Sequence, residues 1–230
     1  MGKTSEQSAL RLVSDADVIK IESTDDEGKA GVILSTGETI VCDVVVSAIG
    51  VEPFVPFVPA SIARSPEDGG ILVDRHFLTS TPNVYAAGDV CHASWATSST
   101  WFQMRLWSQA RVMGIEAGLS MLHGSEWIDN NSLSFELFAH VTSFFGFKVV
   151  LLGLYNGQTL GDEYTVNVRC TPGEEYIKIV LKDHRAVGAV LIGDTDLEET
   201  FENLILNATD LSLIEGNLLD PDVDLEDYFD

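Results

Sequence analysis

The sequence predicts an α/β chain that changes to α+β at its C-terminal end, and three observations indicate this fold class. An unbroken β-branched run, Val44–Val46, is typical of a strand that is buried on both faces of a sheet. Apolar residues recur at helical spacing from Leu106 to Met121. Beyond residue 147, four strand-like runs follow one another, which favours an antiparallel sheet.

The first 50 residues are expected to form a small β-meander that leads into the central strand of a sheet. Alternating apolar runs at Val18–Ile21, Gly31–Leu34 and Thr39–Cys42 are separated by short polar turns that contain glycine. The run Val44–Val46 then ends in small residues at Ala48 and Gly50.

The middle of the chain combines short strands with one long helix. A Pro-rich crossover follows residue 50, and strands are expected at Ile71–Val73 and Val84–Ala87. A helix is expected from about Trp101 to Leu122, because Thr100 and Gln103 have the spacing of a capping box. Its apolar stripe comprises Leu106, Ala110, Met113, Ala117 and Met121. Small residues in the same helix, Gly114 and Gly118, would allow close approach of a neighbour.

The C-terminal part is expected to be an antiparallel sheet with helices on one side. Its four predicted strands are Lys148–Leu152, Tyr164–Val168, Tyr176–Leu181 and Ala186–Ile192. The polar turn at residues 182–185 predicts a hairpin between the last two. A helix should begin at a second capping-box spacing, Thr195 with Glu198, and place Leu197, Phe201, Leu204 and Ile205 on one face.

The charge of the chain excludes some classes of partner. With 13 Lys and Arg against 36 Asp and Glu, the net charge is −23, which argues against a direct nucleic-acid or anionic membrane partner. From Asp194 to Asp230 there are 13 acids and no Lys or Arg. We interpret this segment either as a solvated, partly mobile tail, frayed after Leu211, or as an acidic docking segment for a basic partner. Three widely spaced cysteines form no CxxC pair or zinc motif, which fits a reducing compartment.

Two motifs suggest chemistry. In the first, the run Asp43–Val46 is followed by Ala48, Gly50 and Pro53, so the backbone can approach a bulky group. In the second, Thr79 to Asp89, a strand ends in Ala-Ala-Gly and an acid follows at once. An Asp at the carboxyl end of a strand can accept hydrogen bonds from ligand hydroxyls. The two motifs in this order, with a long helix after the second, form a more specific combination than either alone.

This combination resembles the FAD-dependent pyridine nucleotide-disulfide oxidoreductases over nearly the whole chain. The resemblance implies a partial FAD/NAD(P)-binding two-domain flavoprotein fold, with FAD as cofactor and NAD(P)H as substrate. Asp89 would contact the flavin ribityl hydroxyls, and Gly88 and Gly50 would allow close approach. The family's pattern places the region of Trp101, Gln103 and Met104 near the isoalloxazine ring.

The resemblance also implies a division of the chain. Residues 1–50 would end an NAD(P)H-binding domain and residues 51–126 would be the returning part of an FAD-binding domain. Residues 127–210 would form a C-terminal α+β domain, followed by an acidic tail at 211–230. The family's two GxGxxG motifs do not occur in this sequence, so we expect the chain to be a C-terminal half that is inactive alone.

The function expected from the resemblance is hydride transfer from NAD(P)H to flavin and then to an unknown acceptor. A role in oxidative-stress defence, a cytoplasmic or nuclear location and the tRNA-splicing ligase complex as partner are implied by the resemblance alone. The alternative is a non-catalytic module for dimerisation or docking.

Catalytic residues are not identified from the sequence. Cys91 is interpreted as a packed small residue rather than a reactive thiol, and His140 as a hydrogen-bonded structural histidine rather than an active-site one. Trp101 and Trp107 either stack on flavin or belong to the core of their helix. No metal site is expected.

Overall fold

A computed structural model describes residues 11–26, 28–95, 98–126, 129, 134–223 and 225, and the chain divides into two compact units, Met1–Gly50 and Val51–Asp230. The first unit is the expected meander of three antiparallel strands. The strands are β1 (Val18–Ser23), β2 (Ala30–Leu34) and β3 (Thr39–Cys42). Val32 and Leu34 of the middle strand are buried, whereas β1 is exposed along its whole length.

The strand predicted at Val44–Val46 is absent. These residues are irregular and exposed, with Val44 74% and Val46 83% accessible. A strand needs a neighbour for its main-chain hydrogen bonds, and no strand among the described residues pairs with this run. The β-branched composition was therefore an insufficient basis for the prediction.

The second unit begins with a small parallel sheet. Its strands are β4 (Ile71–Val73), as expected, and β5 (Cys91–Ala93), which the sequence did not reveal. The strand predicted at Val84–Ala87 is not formed, and the chain turns just before it at Asn83, whose φ is 61°. Only Tyr85 forms an isolated bridge, to Leu78. A short 3-10 turn, Gly88–Val90, leads directly into β5.

Helix α1 (Trp107–His123) begins six residues later than predicted. The capping box is wrong: Leu106 is the N-cap residue and its side chain caps nothing. Thr100 and Gln103 instead hydrogen-bond to more distant backbone groups.

The apolar stripe of α1 is only partly correct. Met113 and Ala117 are buried with Phe77 and Val73, but Met121 is 58% exposed. A Cβ placed on Gly114 or Gly118 would meet nothing within 4 Å, so the expected close neighbour is absent among the described residues.

The C-terminal part is an antiparallel sheet of five strands, in the order β6-β7-β10-β9-β8. Their bounds are β6 (Ala139–Phe144), β7 (Phe147–Gly153), β8 (Thr165–Thr171), β9 (Glu175–Lys182) and β10 (Arg185–Gly193). Edge strand β6 was not predicted. The hairpin between β9 and β10 is confirmed, and its turn residues Asp183 and His184 have φ values of 50° and 61°.

Helix α2 (Glu198–Leu206) covers one face of this sheet, as expected. Its buried side chains Phe201, Leu204 and Ile205 join one core with residues of β7, β9 and β10. The second capping box is wrong, because Leu197 is the N-cap residue and Glu198 binds Lys148 instead. Neither helix within the described residues is long and apolar enough to cross a membrane.

The segment after Leu211 is not a frayed tail over its described part, residues 211–223 and 225. Leu211, Leu218 and Leu225 are at most 5% exposed and lie in the core under α2 and the sheet. A second 3-10 turn, Glu215–Asn217, lies between the first two. The sequence prediction gave weight to the acidic residues of this segment and overlooked its leucines. Residues 224 and 226–230 of the predicted tail lie outside the described part.

Candidate functional site

The 3-10 turn Gly88–Val90 is where the second motif leaves the loop and enters β5. Gly88 is buried with a φ of 79°, a conformation that favours glycine. A Cβ at this position would lie 3.3 Å from the Cβ of Ala110 in α1. The glycine thus allows the turn to pack against the helix, in addition to the ligand approach expected from the sequence.

Asp89 is exposed in this turn. Its carboxylate makes no hydrogen bond or ion pair to any residue that the structure describes. A free carboxylate beside a backbone held close to a helix can accept hydrogen bonds from hydroxyl groups of a ligand. The turn therefore fits a role in holding the polyol chain of a flavin, and Asp89 as a flavin contact stays a prediction.

The main chain of this turn is hydrogen-bonded to an ionic network that the sequence did not reveal. The guanidinium of Arg105 donates from Nε to the main-chain oxygen of Asp89 at 3.0 Å, and its terminal nitrogen pairs with Asp68. Asp68 also accepts hydrogen bonds from the Gly70 N–H and from Nδ1 of His92, at 2.9 and 3.1 Å. These residues are separated by up to 37 positions in sequence, so no local pattern indicates that they meet.

The charge state of Asp68 is fixed by this network. Burial opposes ionisation of the carboxyl, but the hydrogen bonds from Arg105, Gly70 and His92 outweigh burial and hold the pKa of Asp68 well below its usual range. Asp68 is therefore ionised near neutral pH and can pair there with Arg105.

The other predicted flavin contacts have partners within the protein. The side-chain amide of Gln103 accepts a hydrogen bond from the Ala93 N–H at 2.7 Å and donates one to the main-chain oxygen of Cys91 at 2.9 Å. These two bonds hold β5 in place. The ring of Trp101 stacks on Trp95 at a centroid distance of 5.8 Å, within the core of this part.

Met104 and Gly50 complete the set of predicted contacts. The Met104 N–H donates to Oε1 of Gln109 at 2.9 Å, and its side chain is half-buried. Gly50 ends the first compact unit with a φ of 91° and has open space around its Cα, so its conformation fits glycine. Their roles toward flavin stay predictions.

Cys91 is a buried residue at the start of β5. Burial is the main reason that the pKa of its thiol is raised to about 12, and Sγ donates to the oxygen of Gly88 at 3.1 Å. A thiol in this state is a poor nucleophile near neutral pH, in agreement with its interpretation as a packed small residue.

His140 lies on β6 opposite Leu151. Its Nδ1 is buried and has no hydrogen-bond partner among the residues that the structure describes, so the expectation of a fully hydrogen-bonded histidine is not met there at this nitrogen. Trp107, the other proposed stacking residue, is 82% exposed at the start of α1 and is not in the core. Among the described residues, no group of three or more His, Cys, Asp or Glu side chains is placed so that it could hold a metal ion.

The fold and the Gly88–Asp89 turn define the class of protein. Residues 2–114 match the family model described as pyridine nucleotide-disulphide oxidoreductase. Residues 144–209 match the model described as the rubredoxin NAD+ reductase C-terminal domain. The resemblance seen in the sequence is thus confirmed, and the chain belongs to the pyridine nucleotide-disulphide oxidoreductase family.

Individual proteins are similar over most of the chain. Pyridine nucleotide-disulfide oxidoreductase domain-containing protein 1 of Homo sapiens is 57% identical over 192 residues, which cover 82% of this chain and 38% of that protein. A crystal structure of Fdr9 is 26% identical with a TM-score of 0.60, covering 78% of this chain and 44% of its own. The putidaredoxin reductase–putidaredoxin complex shares the fold at 19% identity and a TM-score of 0.66, covering 93% and 48% of the two chains. The chain spans less than half the length of the curated relatives it matches.

Proposed function

We propose that this chain is part of an FAD-dependent NAD(P)H oxidoreductase and contributes the Gly88–Val90 turn to its flavin site. The observation that carries the proposal is the carboxylate of Asp89, which has no partner among the described residues and is exposed directly after a buried glycine that packs the turn against α1. Membership of the oxidoreductase family supports the same assignment.

Each residue of the turn has a distinct task in this proposal. Asp89 accepts hydrogen bonds from the ribityl hydroxyls and so fixes the cofactor's position. Arg105 and Asp68 hold the main chain beneath Asp89. Flavin, when bound, supplies the hydride and electron chemistry, which the protein orients.

We infer that the electrons pass to an acceptor other than Cys91, the thiol that follows this turn. The buried Cys91, with its raised pKa, does not supply a thiolate for disulfide exchange. The match to a rubredoxin reductase C-terminal domain supports transfer to a separate acceptor, either a protein or a small molecule. From the resemblance we further propose a role in oxidative-stress defence, in cytoplasm or nucleus, with the tRNA-splicing ligase complex as a partner.

A second candidate, a dimerisation or docking module, is favoured by the outer face of the C-terminal sheet. Phe144 and Phe147, which pair across β6 and β7, are 65% and 42% exposed, and Val168 of β8 is 52% exposed. Sedimentation equilibrium tests this role. A concentration-dependent dimer that Val168→Lys disrupts would support it, and a monomer at all concentrations would exclude dimerisation.

Anaerobic reduction tests the enzymatic proposal. We expect the purified full-length gene product to contain flavin whose visible absorption band bleaches when NADH or NADPH is added and returns when air is admitted. Free FAD with the same nucleotide serves as the control. A protein that holds no flavin, or whose flavin neither nucleotide reduces, would overturn the proposal.

A further inference from the structure

Arg105 connects two separate segments of the chain around the candidate flavin site. Its Nε donates to the main-chain oxygen of Asp89 at 3.0 Å, and its terminal nitrogen pairs with the carboxylate of Asp68. The side chain of Arg105 is 18% exposed, and its contact with Asp68 is partly buried, whereas its hydrogen bond to Asp89 lies at the surface. A guanidinium can make these two bonds at once because its donors form a rigid planar fork.

Asp68 also has hydrogen-bond partners other than Arg105. The Gly70 N–H donates to one carboxylate oxygen of Asp68, and the His92 ring bonds to the other. These hydrogen bonds restrain the position of the Asp68 carboxylate. The loop before β4 thereby becomes a fixed anchor. The other segment that Arg105 contacts is the 3-10 turn Gly88–Val90, which has no side-chain cap of its own.

We propose that Arg105 is a positioning residue of the flavin site, which acts by fixing the main chain at Asp89 and hence the direction of the Asp89 carboxylate. The inference rests on the proposed function, because it requires a flavin at Asp89. Since that carboxylate has no hydrogen-bond or ion-pair partner among the described residues, its position depends on the main chain beneath it and on its own two side-chain torsions.

Substitution of Arg105 by lysine keeps the charge and removes the fork. A lysine ammonium is a single point charge and cannot bond in the same geometry to both Asp68 and the Asp89 carbonyl. We expect Arg105→Lys to weaken FAD affinity about tenfold, the effect of losing a bond of about 1.4 kcal/mol. Quenching of FAD fluorescence on titration with the full-length gene product measures this.

The C-terminal sheet offers a matched control. Arg169 pairs through Nε and a terminal nitrogen with Glu175, at 2.9 and 3.0 Å, and donates to the main-chain oxygen of Leu219 at 3.0 Å. It therefore bridges a carboxylate and a carbonyl as Arg105 does, but away from the turn. We expect Arg169→Lys to leave FAD affinity unchanged. It should lower the melting temperature about as much as Arg105→Lys does.

A double-mutant cycle separates positioning from general loss of structure. If Arg105 acts through Asp89, Arg105→Lys should have little further effect on FAD affinity in an Asp89→Ala background. Equal weakening in both backgrounds would overturn the inference, as would an unchanged affinity in the single variant. If Arg105→Lys fails to fold, Asp68→Asn removes the same ion pair and should weaken FAD affinity in the same non-additive way.

The outcomes also distinguish this inference from the function on which it rests. If the wild-type protein binds FAD and Asp89→Ala weakens that binding, the function survives whatever the Arg105 variants do. A wild-type protein with no FAD affinity overturns both.

Discussion

Gly88 combines a left-handed backbone conformation with close packing against α1. Its φ is 79°, and a Cβ would stand 3.3 Å from that of Ala110. Gly161 has a comparable φ of 62° but nothing within 4 Å of a Cβ. The two positions therefore share a conformational cost and differ in the contact.

We expect Gly88→Ala to lower the free energy of unfolding by more than Gly161→Ala does. Both substitutions should cost about 1–2 kcal/mol for a non-glycine residue in the left-handed region. At residue 88 the crowding of Ala110 adds to that cost. Urea unfolding measures the difference, and equal losses in the two variants would show that the turn does not pack against α1 as described.

Cys91 and Cys170 differ in accessibility, and this leads to a prediction about thiol chemistry. Cys91 is buried with a pKa of about 12, so it stays protonated at pH 8, whereas Cys170 is exposed. Under native conditions we expect iodoacetamide to label Cys170 rapidly and Cys91 only after denaturant is added. Mass spectrometry of the labelled peptides reads the order, and early labelling of Cys91 would contradict its burial.

At the scale of elements, the segment after α2 is part of the C-terminal core. Leu218 is 1% exposed and lies in the core with Phe201 and Leu204 of α2, whereas Leu213 is 94% exposed. Buried residues such as Leu218 therefore anchor the segment to the core, although other residues of the segment, such as Leu213, are exposed. Leu218 and Leu213, one buried and one exposed, form a matched pair for comparison.

We expect Leu218→Ala to lower the free energy of unfolding by about 2–5 kcal/mol, because it opens a cavity in a packed core. The same change at Leu213 should stay within about 0.5 kcal/mol. Chemical denaturation of both variants decides the matter. Similar small effects at the two sites would mean that the segment is a mobile tail after all.

The pair His184–Glu215 connects the β9–β10 turn to this segment, with Nδ1 of His184 at 2.6 Å from the carboxylate. Hydrogen bonding to Glu215 raises the pKa of His184. The stabilisation by protonated His184 is thus complete below its ordinary pKa of about 6.5 and is lost as the pH rises through the raised value.

We expect Glu215→Gln to lower the pKa of His184, as followed by NMR titration of its ring protons. The stability advantage of the wild type over this variant should be larger at about pH 6 than at about pH 9. A His184 pKa that is unchanged by the substitution would show that the two side chains do not pair in solution.

The sequence was informative where local patterns govern an element. Hairpin β9–β10 and helix α2 were predictable, because their alternating and helical patterns agree with the packing that the structure shows. The start of α1 was not, since the hydroxyl of Thr100 binds the Glu136 oxygen, 36 positions away. Val44–Val46 failed for the same reason, because strand formation depends on a partner that composition does not supply.

The candidate site was half predictable. Gly88 and Asp89 stand in a motif of adjacent residues, so the turn could be located from the sequence. Asp68, His92 and Arg105 meet only through the fold, and their ion pair and hydrogen bonds join segments up to 37 residues apart. Sequence reasoning finds such supporting residues only when they lie beside the motif.

At the scale of the whole molecule, the chain carries parts of two modules of one oxidoreductase family. Residues 2–114 match the pyridine nucleotide-disulphide oxidoreductase model. Residues 144–209, which contain most of the C-terminal sheet, match the rubredoxin NAD+ reductase C-terminal domain. We propose that this molecule binds flavin through the exposed carboxylate of Asp89.

The FAD dissociation constant of the full-length gene product, compared between two single variants, tests that claim most directly. Asp89→Ala removes the proposed contact, and Asp162→Ala removes another exposed carboxylate from a loop outside the turn. We expect Asp89→Ala to weaken FAD binding about 10–100-fold, as for loss of hydrogen bonds to a charged group, and Asp162→Ala to leave it unchanged. Equal affinities for the two variants would contradict the claim.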